Sequence, residues 1–180
     1  MARGAAIERS TRTREESGRE KRGEEFEAFF ASHYERLLKT MYILTRNPET
    51  AKDLAQEAMV RVFEHWEKMS SVQDPVAYLF RVAVNLNRRM LRRRILGSRY
   101  AKRLAGMPSV ESDPHSATEI ILAIGHLSRV QREALALVEW IGYSTEEAGR
   151  ILGVKASSVR ARIHRARAAL REELGEQGNE

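Results

Sequence analysis

Apolar residues recur every three to four positions over two long stretches, Glu24 to Arg94 and Ala117 to Leu174, and no segment alternates with period two. The first interval lines one side of an α-helix, whereas a strand requires alternation, so the fold class is read as all-α. Asn47-Pro48 and the run Ser70 to Pro75 break the first stretch into about three helices, the third starting from an Asp74-Pro75 cap. Gly125, Gly142 and Gly153 punctuate the second. Between them, Ile95 to Ser116 carries Gly97, Gly106, Pro108 and Pro114 with little periodicity and reads as a flexible linker. Met1 to Gly23 is charged and nearly devoid of apolar residues, which predicts a disordered tail; Gly175 to Glu180 reads as a short polar one. The expected architecture is two small helical domains, 24–94 and 117–174, joined by that linker, the second ending in a helix-turn-helix.

Charge sorts the possible functions. The chain of 180 residues has a formal net charge of +6, unevenly spread. Pro75 to Val110 contains no acid and many arginines; Ala148 to Arg171 is likewise acid-free; between Glu25 and Asp74 acids outnumber bases. Two basic patches imply a polyanion gripped at two places and a different partner for the acidic part. Cysteine is absent, which excludes disulfides, thiolate nucleophiles and Cys-ligated zinc. The histidines form no His-x-x-x-His pair and no glycine loop could cradle a phosphate, so neither enzyme activity nor a cofactor or metal is expected. With no run long and apolar enough for a membrane span, and a charged N-terminus, a cytoplasmic protein without membrane insertion is expected.

The sharpest local signal is Ser144 to Arg167. Ser144 and Glu147 form a capping box, Ala148 lets a second helix cross closely, Ile151 and Leu152 point to a core, and Gly153 permits a tight turn. In the next helix Val159, Ile163, Ala166 and Leu170 share the inward face, leaving Ser157, Ala161 and His164, flanked by Arg160 and Arg165, on the other. Such a helix fits the major groove, where arginine bridges guanine O6 and N7. Ser158 lies in the first turn, while Arg162 and Arg167 sit nearer the packed edge and reach for phosphates. An ordinary helical hairpin with a basic face is the plainer alternative.

Two further constellations lie upstream. On Pro75 to Arg94, Leu79, Val82, Leu86 and Met90 make an inward stripe, and Tyr78, Arg81, Asn85, Arg88 and Arg92 make another. Asn85 within Val-Ala-Val-Asn-Leu is unfavourable for helix propensity and for burial, which gives it a hydrogen-bonding role, either to a base or to a neighbouring loop. Tyr78 and Phe80 are read as core or as base-stacking rings. On Asp53 to Trp66, the residues Asp53, Gln56 and Glu57 share one face beside the apolar Leu54, Ala58, Val62 and Trp66. An acidic, amide-bearing face does not bind DNA; it suits a basic protein partner or plain solvent.

Taken in order, these motifs resemble the sigma-70 family, specifically its short extracytoplasmic-function members that keep only regions 2 and 4, over roughly Glu24 to Glu173. The resemblance implies an RNA polymerase sigma factor. Asp53, Leu54, Gln56 and Glu57 match the family's Asp-Leu-x-Gln-Glu helix, which binds the β′ clamp helices of core polymerase. Tyr78, Leu79, Arg81, Ala83 and Asn85 match its promoter-melting pattern, with Asn85 helping to capture a flipped base of the −10 element against the loop Met69 to Val76. Ser158, Val159, Arg160, Arg162, Arg165, Ala166 and Arg167 match the helix that reads the −35 element. The chain departs from the family pattern at Lys52, Arg89 and Ala161. Implied partners are core polymerase, through the β′ clamp helices and the β flap, and promoter DNA, with an anti-sigma factor as a further partner that leaves no motif of its own. A helix-turn-helix repressor is the rival, but it leaves the Asp53 face and the Asn85 helix without a task.

Overall fold

The computed structural model describes residues 2–69, 71–101 and 119–176, and among them there is no strand. The helices are α1 (Ala2–Thr45), α2 (Pro48–Glu64), α3 (Trp66–Met69), α4 (Pro75–Ala101), α5 (Glu119–His126), α6 (Arg129–Leu135), α7 (Thr145–Leu152) and α8 (Ala156–Glu176). One π-helical turn, Ala136–Trp140, continues α6.

Local chemistry sets the first boundaries. Arg46 takes a left-handed conformation (φ 56°) at the end of α1. The Asn47 side chain then accepts the amide of Thr50 at 2.8 Å, with Pro48 opening α2. α2 lays Ala51, Leu54, Ala55, Ala58, Met59 and Val62 against Leu37, Met41 and Leu44 of α1, and the alanines let the two axes approach closely. Where α2 ends, Phe26 meets Phe63 and Trp66 at centroid distances of 4.8 and 5.2 Å, and Phe29 meets Trp66 at 5.0 Å. Asp74 caps α4 as its sequence foretells, its carboxylate accepting the amide of Ala77 at 2.8 Å.

α4 is buried over a wider arc than one stripe. Leu79, Leu86 and Ala83 are in the core, but so are Phe80, Val84 and Asn87, whereas Val82 and Met90 are half-buried. The reason is that α4 lies between α2 on one side and the second helical unit on the other. Phe80 makes an edge-on contact with Tyr143 at 6.1 Å. The main apolar cluster accordingly runs unbroken from Leu37 and Phe80 into Ala134, Leu137, Ile141, Ile151 and Val159. A smaller cluster of Leu127, Leu135 and Ala166, with Ile124 and Leu170 against it, ties α5 and α6 to α8.

Three expectations about boundaries change. Met1 to Gly23 was expected to be disordered, but α1 begins at Ala2. Its composition precludes a packed core, yet Ala, Arg and Glu are good helix formers, and pairs such as Glu8 with Arg12 and Glu15 with Arg19 are spaced one turn apart. The first residues of the expected linker, 95–101, extend α4 despite Gly97, and its remainder lies outside the described residues. α8 likewise continues through Gly175 to Glu176, inside the expected polar tail.

Phe80→Ala empties a fully buried site shared by both units and should lower stability by about 3–5 kcal/mol in urea denaturation.

Candidate nucleic-acid interface

The helix-turn-helix is built by caps. Ser144 and Glu147 bond reciprocally: the Glu147 amide donates to the Ser144 hydroxyl at 3.2 Å, and the Ser144 amide donates to the Glu147 carboxylate at 2.8 Å. α7 ends at Gly153 in the left-handed region (φ 70°), where glycine escapes the Cβ penalty. Ala148 is fully buried at the crossing, as expected. Gly149 is the tighter constraint, and the sequence reading overlooked it: a Cβ there would stand 2.8 Å from the Val154 carbonyl oxygen. Lys155 precedes α8 and contributes its carbonyl to the Ser158 and Val159 amides, its side chain having no acceptor to offer as a cap.

α8 divides into the two faces that its periodicity predicts. Val159, Ile163 and Ala166 are buried and Leu170 is half-buried, while Ser157, Arg160, Ala161, His164, Arg165 and Arg167 are exposed. Ser158 and Arg162 lie at the margin, Arg162 with one terminal nitrogen buried and unpartnered. Two of the exposed arginines meet acids on neighbouring elements, Arg160 with Glu146 at 3.5 Å and Arg167 with Glu139 at 2.6 Å.

The polar stripe of α4 does not stay together. Tyr78 and Asn85 border an open cleft shared with Glu57, Arg61, Glu64 and His65 of the α2 end and with Arg89. Arg92 is exposed and folds back onto the Arg88 carbonyl at 3.3 Å. Arg81 and Arg88 turn instead toward the second unit. Arg81 donates to the carbonyl of Arg150 at 3.1 Å, and Arg88 to the carbonyl of Leu152 at 3.2 Å. Arg88 also grips both oxygens of Glu133, at 2.6 Å for the shortest bond, and Glu133 is fully buried. Sequence reasoning missed Glu133, although its place on the face of Val130, Ala134 and Leu137 was a signal: an acid in an apolar stripe needs a buried cation. Asn85 is the asparagine that the sequence offers to a base or to a neighbouring loop. Asn85 is exposed, whereas Asn87 is buried with both side-chain polar atoms unpartnered.

On α2, Asp53, Gln56 and Glu57 are exposed on one face, with Glu57 paired to Arg61 at 2.8 Å. Leu54 is buried against α1 and so shapes that face from beneath. Phe63 and Val60 farther along are about half exposed, at 54% and 51%. Among the described residues, no helix is long and apolar enough to cross a membrane, and no group of acids and histidines could hold a metal ion.

Comparison with known proteins gives one consistent result. Residues 29–95 match the family model for Sigma-70 region 2, and residues 117–170 match that for Sigma-70, region 4. The RNA polymerase sigma-E factor of Streptomyces coelicolor is 33% identical over 152 residues, covering 83% of this chain and 86% of that protein. The RNA polymerase sigma factor CarQ of Myxococcus xanthus is 31% identical over 84% of this chain and 90% of its own. The fold is similar to that of the sigma factor RpoE of Bartonella quintana, solved with the anti-sigma factor NepR, at a TM-score of 0.72 and 22% identity over 84% of this chain and 97% of that one.

Two substitutions test the turn. Gly149→Ala forces backbone apart and should destabilise the second unit by roughly 1–3 kcal/mol in thermal denaturation. The Ser144 hydroxyl first, and then its amide, hold the Glu147 carboxyl below its ordinary 4.5. Because that pKa is depressed, the capping contribution is present above the ordinary value and is lost as pH falls through the folded one. As the loss of an N-cap, Ser144→Ala should cost about 1 kcal/mol in thermal denaturation near neutrality, and by removing the bonds that hold the Glu147 carboxyl down it should flatten the acid limb of the stability profile.

Proposed function

The chain belongs to the sigma-70 family, as an extracytoplasmic-function sigma factor made of regions 2 and 4, and it directs promoter-specific initiation by RNA polymerase; on that premise we propose how its surfaces divide the work. α8 reads the −35 element in the duplex, α4 captures the melted −10 strand, and the exposed face of α2 holds core polymerase. The observation that carries this is the two-faced α8: its apolar edge is sunk in the core while Ser157, Arg160, Ala161, His164 and Arg165 are exposed behind a turn fixed by Gly153.

Each role follows from chemistry. Arg160 and Arg165 present planar, bidentate donors to guanine edges, with Ser157, Ser158 and His164 able to contact bases or phosphates. Arg162 and Arg167, nearer the packed edge, contact phosphate and position the helix without reading sequence. On α4, Tyr78 offers a ring for base stacking and Asn85 an amide for a base edge, both beside the open cleft, while Arg81, Arg88 and Arg92 neutralise the backbone. A protein without ATPase motifs melts DNA by trapping spontaneous opening, so holding two weak sites on one polymerase frame raises the effective concentration of each. Asp53, Gln56 and Glu57 offer carboxylates and an amide to the basic side chains of the β′ clamp helices, and Leu54 fixes the height of that face. The β flap is a second polymerase contact. An anti-sigma factor is a third class of partner. The protein acts in the cytoplasm and catalyses no reaction itself.

Run-off transcription with purified core polymerase on a library of genomic promoters tests the whole reading. Promoter-specific transcripts are expected; tight duplex binding without them would leave a repressor. Asp53→Arg combined with Gln56→Ala should abolish co-purification with core while leaving the helix content unchanged. Arg160→Ala should relax −35 preference, whereas Arg167→Ala should weaken all duplexes alike and lower the salt slope by about one.

A further inference from the structure

We propose that the cleft between α2 and α4 discriminates among unpaired bases: Glu64 accepts a hydrogen bond from the exocyclic amine of cytosine or adenine, and Arg89 holds a phosphate of the same strand. This deepens the −10 reading and rests on the assignment of Tyr78 and Asn85 to that strand. The cleft measures about 580 Å³, within the range of small-ligand sites. Tyr78, Val82, Asn85 and Arg89 line it at steps of four, three and four residues, so they make one row of about 16 Å along α4. Arg81 and Arg88 belong to the flank that bonds to the second unit. Arg89 is therefore the α4 guanidinium that stands at the cleft.

The partners of each charged group decide its role. On the α2 wall Glu57 is committed to Arg61 at 2.8 Å, and the His65 ring donates from Nδ1 to the Arg61 carbonyl at 2.9 Å. Glu64 and Arg89 are exposed, and among the described residues their side chains have no hydrogen bond or ion pair. A carboxylate repels phosphate, so beside a strand Glu64 gains only from a donor on a base. Cytosine N4 and adenine N6 are such donors, whereas thymine and guanine carry a carbonyl oxygen at the corresponding carbon and set acceptor against acceptor. The Tyr78 ring stacks on any base, because every base has a π-face, so it leaves the choice to Glu64. Arg89 offsets the repulsion by presenting its donor fork to phosphate oxygens.

Fluorescence anisotropy of the full chain with short fluorescein-labelled strands of deoxycytidine and of deoxyuridine tests this, since the two bases differ by an amine against an oxygen at C4. At slightly alkaline pH the parent should prefer the cytosine strand roughly fivefold. Glu64→Gln should lose that preference, because an amide offers the base a donor as readily as an acceptor. Arg89→Ala should weaken both strands alike and lower the salt slope by about 0.7, and Arg89→Lys should restore it. Both positions are exposed, and circular dichroism confirms that each variant keeps its helices. A cytosine preference that survives Glu64→Gln, or a salt slope unmoved by Arg89→Ala, overturns the proposal. Tyr78→Ala tests the premise separately: absence of strand binding by the parent, or binding undiminished in this variant, removes the −10 assignment itself.

Discussion

The structure depends on arginines of one helical unit reaching backbone carbonyls at helix ends in the other. Arg88 meets the carbonyl of Leu152 and Arg81 that of Arg150, both in the last turn of α7; Arg132 meets Leu44 near the end of α1, together with Gly125 and Leu127 at the end of α5. The last carbonyls of a helix have no partner within it and carry the negative end of its dipole, so a guanidinium satisfies a hydrogen-bond requirement and a charge preference at once. Because these donors come from distant parts of the sequence, the same bonds that finish the helices also hold the units together. Arg132 is drawn in far enough that burial, and then the charge of Arg46, lower its pKa.

Around that frame the polar faces of α8, α2 and α4 differ in what holds them. The exposed face of α8 is supported from several sides: the helix is held by its apolar edge, by the capped α7 beside it, and by the Arg167–Glu139 and His126–Glu173 contacts. The α2 face is backed by a row of small and medium apolar residues against α1. On α4, Arg81 and Arg88 are engaged across the boundary with the second unit, while Tyr78 and Asn85 border the open cleft.

What could be read in advance was whatever a short run of residues decides. The Asn47-Pro48 and Asp74-Pro75 starts, the Ser144–Glu147 box and the Gly153 stop all act within one turn, and all stand where the sequence puts them. The split of α8 into Val159, Ile163 and Ala166 against Arg160, His164 and Arg165 was equally legible, because 3.6 residues per turn fix which side chains share a side. The fate of α4 was less so. Its periodicity placed Tyr78, Arg81, Asn85, Arg88 and Arg92 on one stripe, but two neighbours flank the helix, and the one that Arg81 and Arg88 bond to lies more than forty residues away in sequence. The N-terminal segment erred the other way, since lack of apolar residues argues against a core and does not argue against a solvated helix.

The sequence by itself determined the all-helical class, the order of the surfaces, and the chemistry each can perform, because propensity, capping and helical period are local properties of the chain. Only the tertiary structure decided which of those surfaces are free. For Glu133, a buried carboxylate, helical spacing names one cation, Arg129 one turn earlier at 3.7 Å, but only packing between units brings up the closer one, Arg88 of α4 at 2.6 Å.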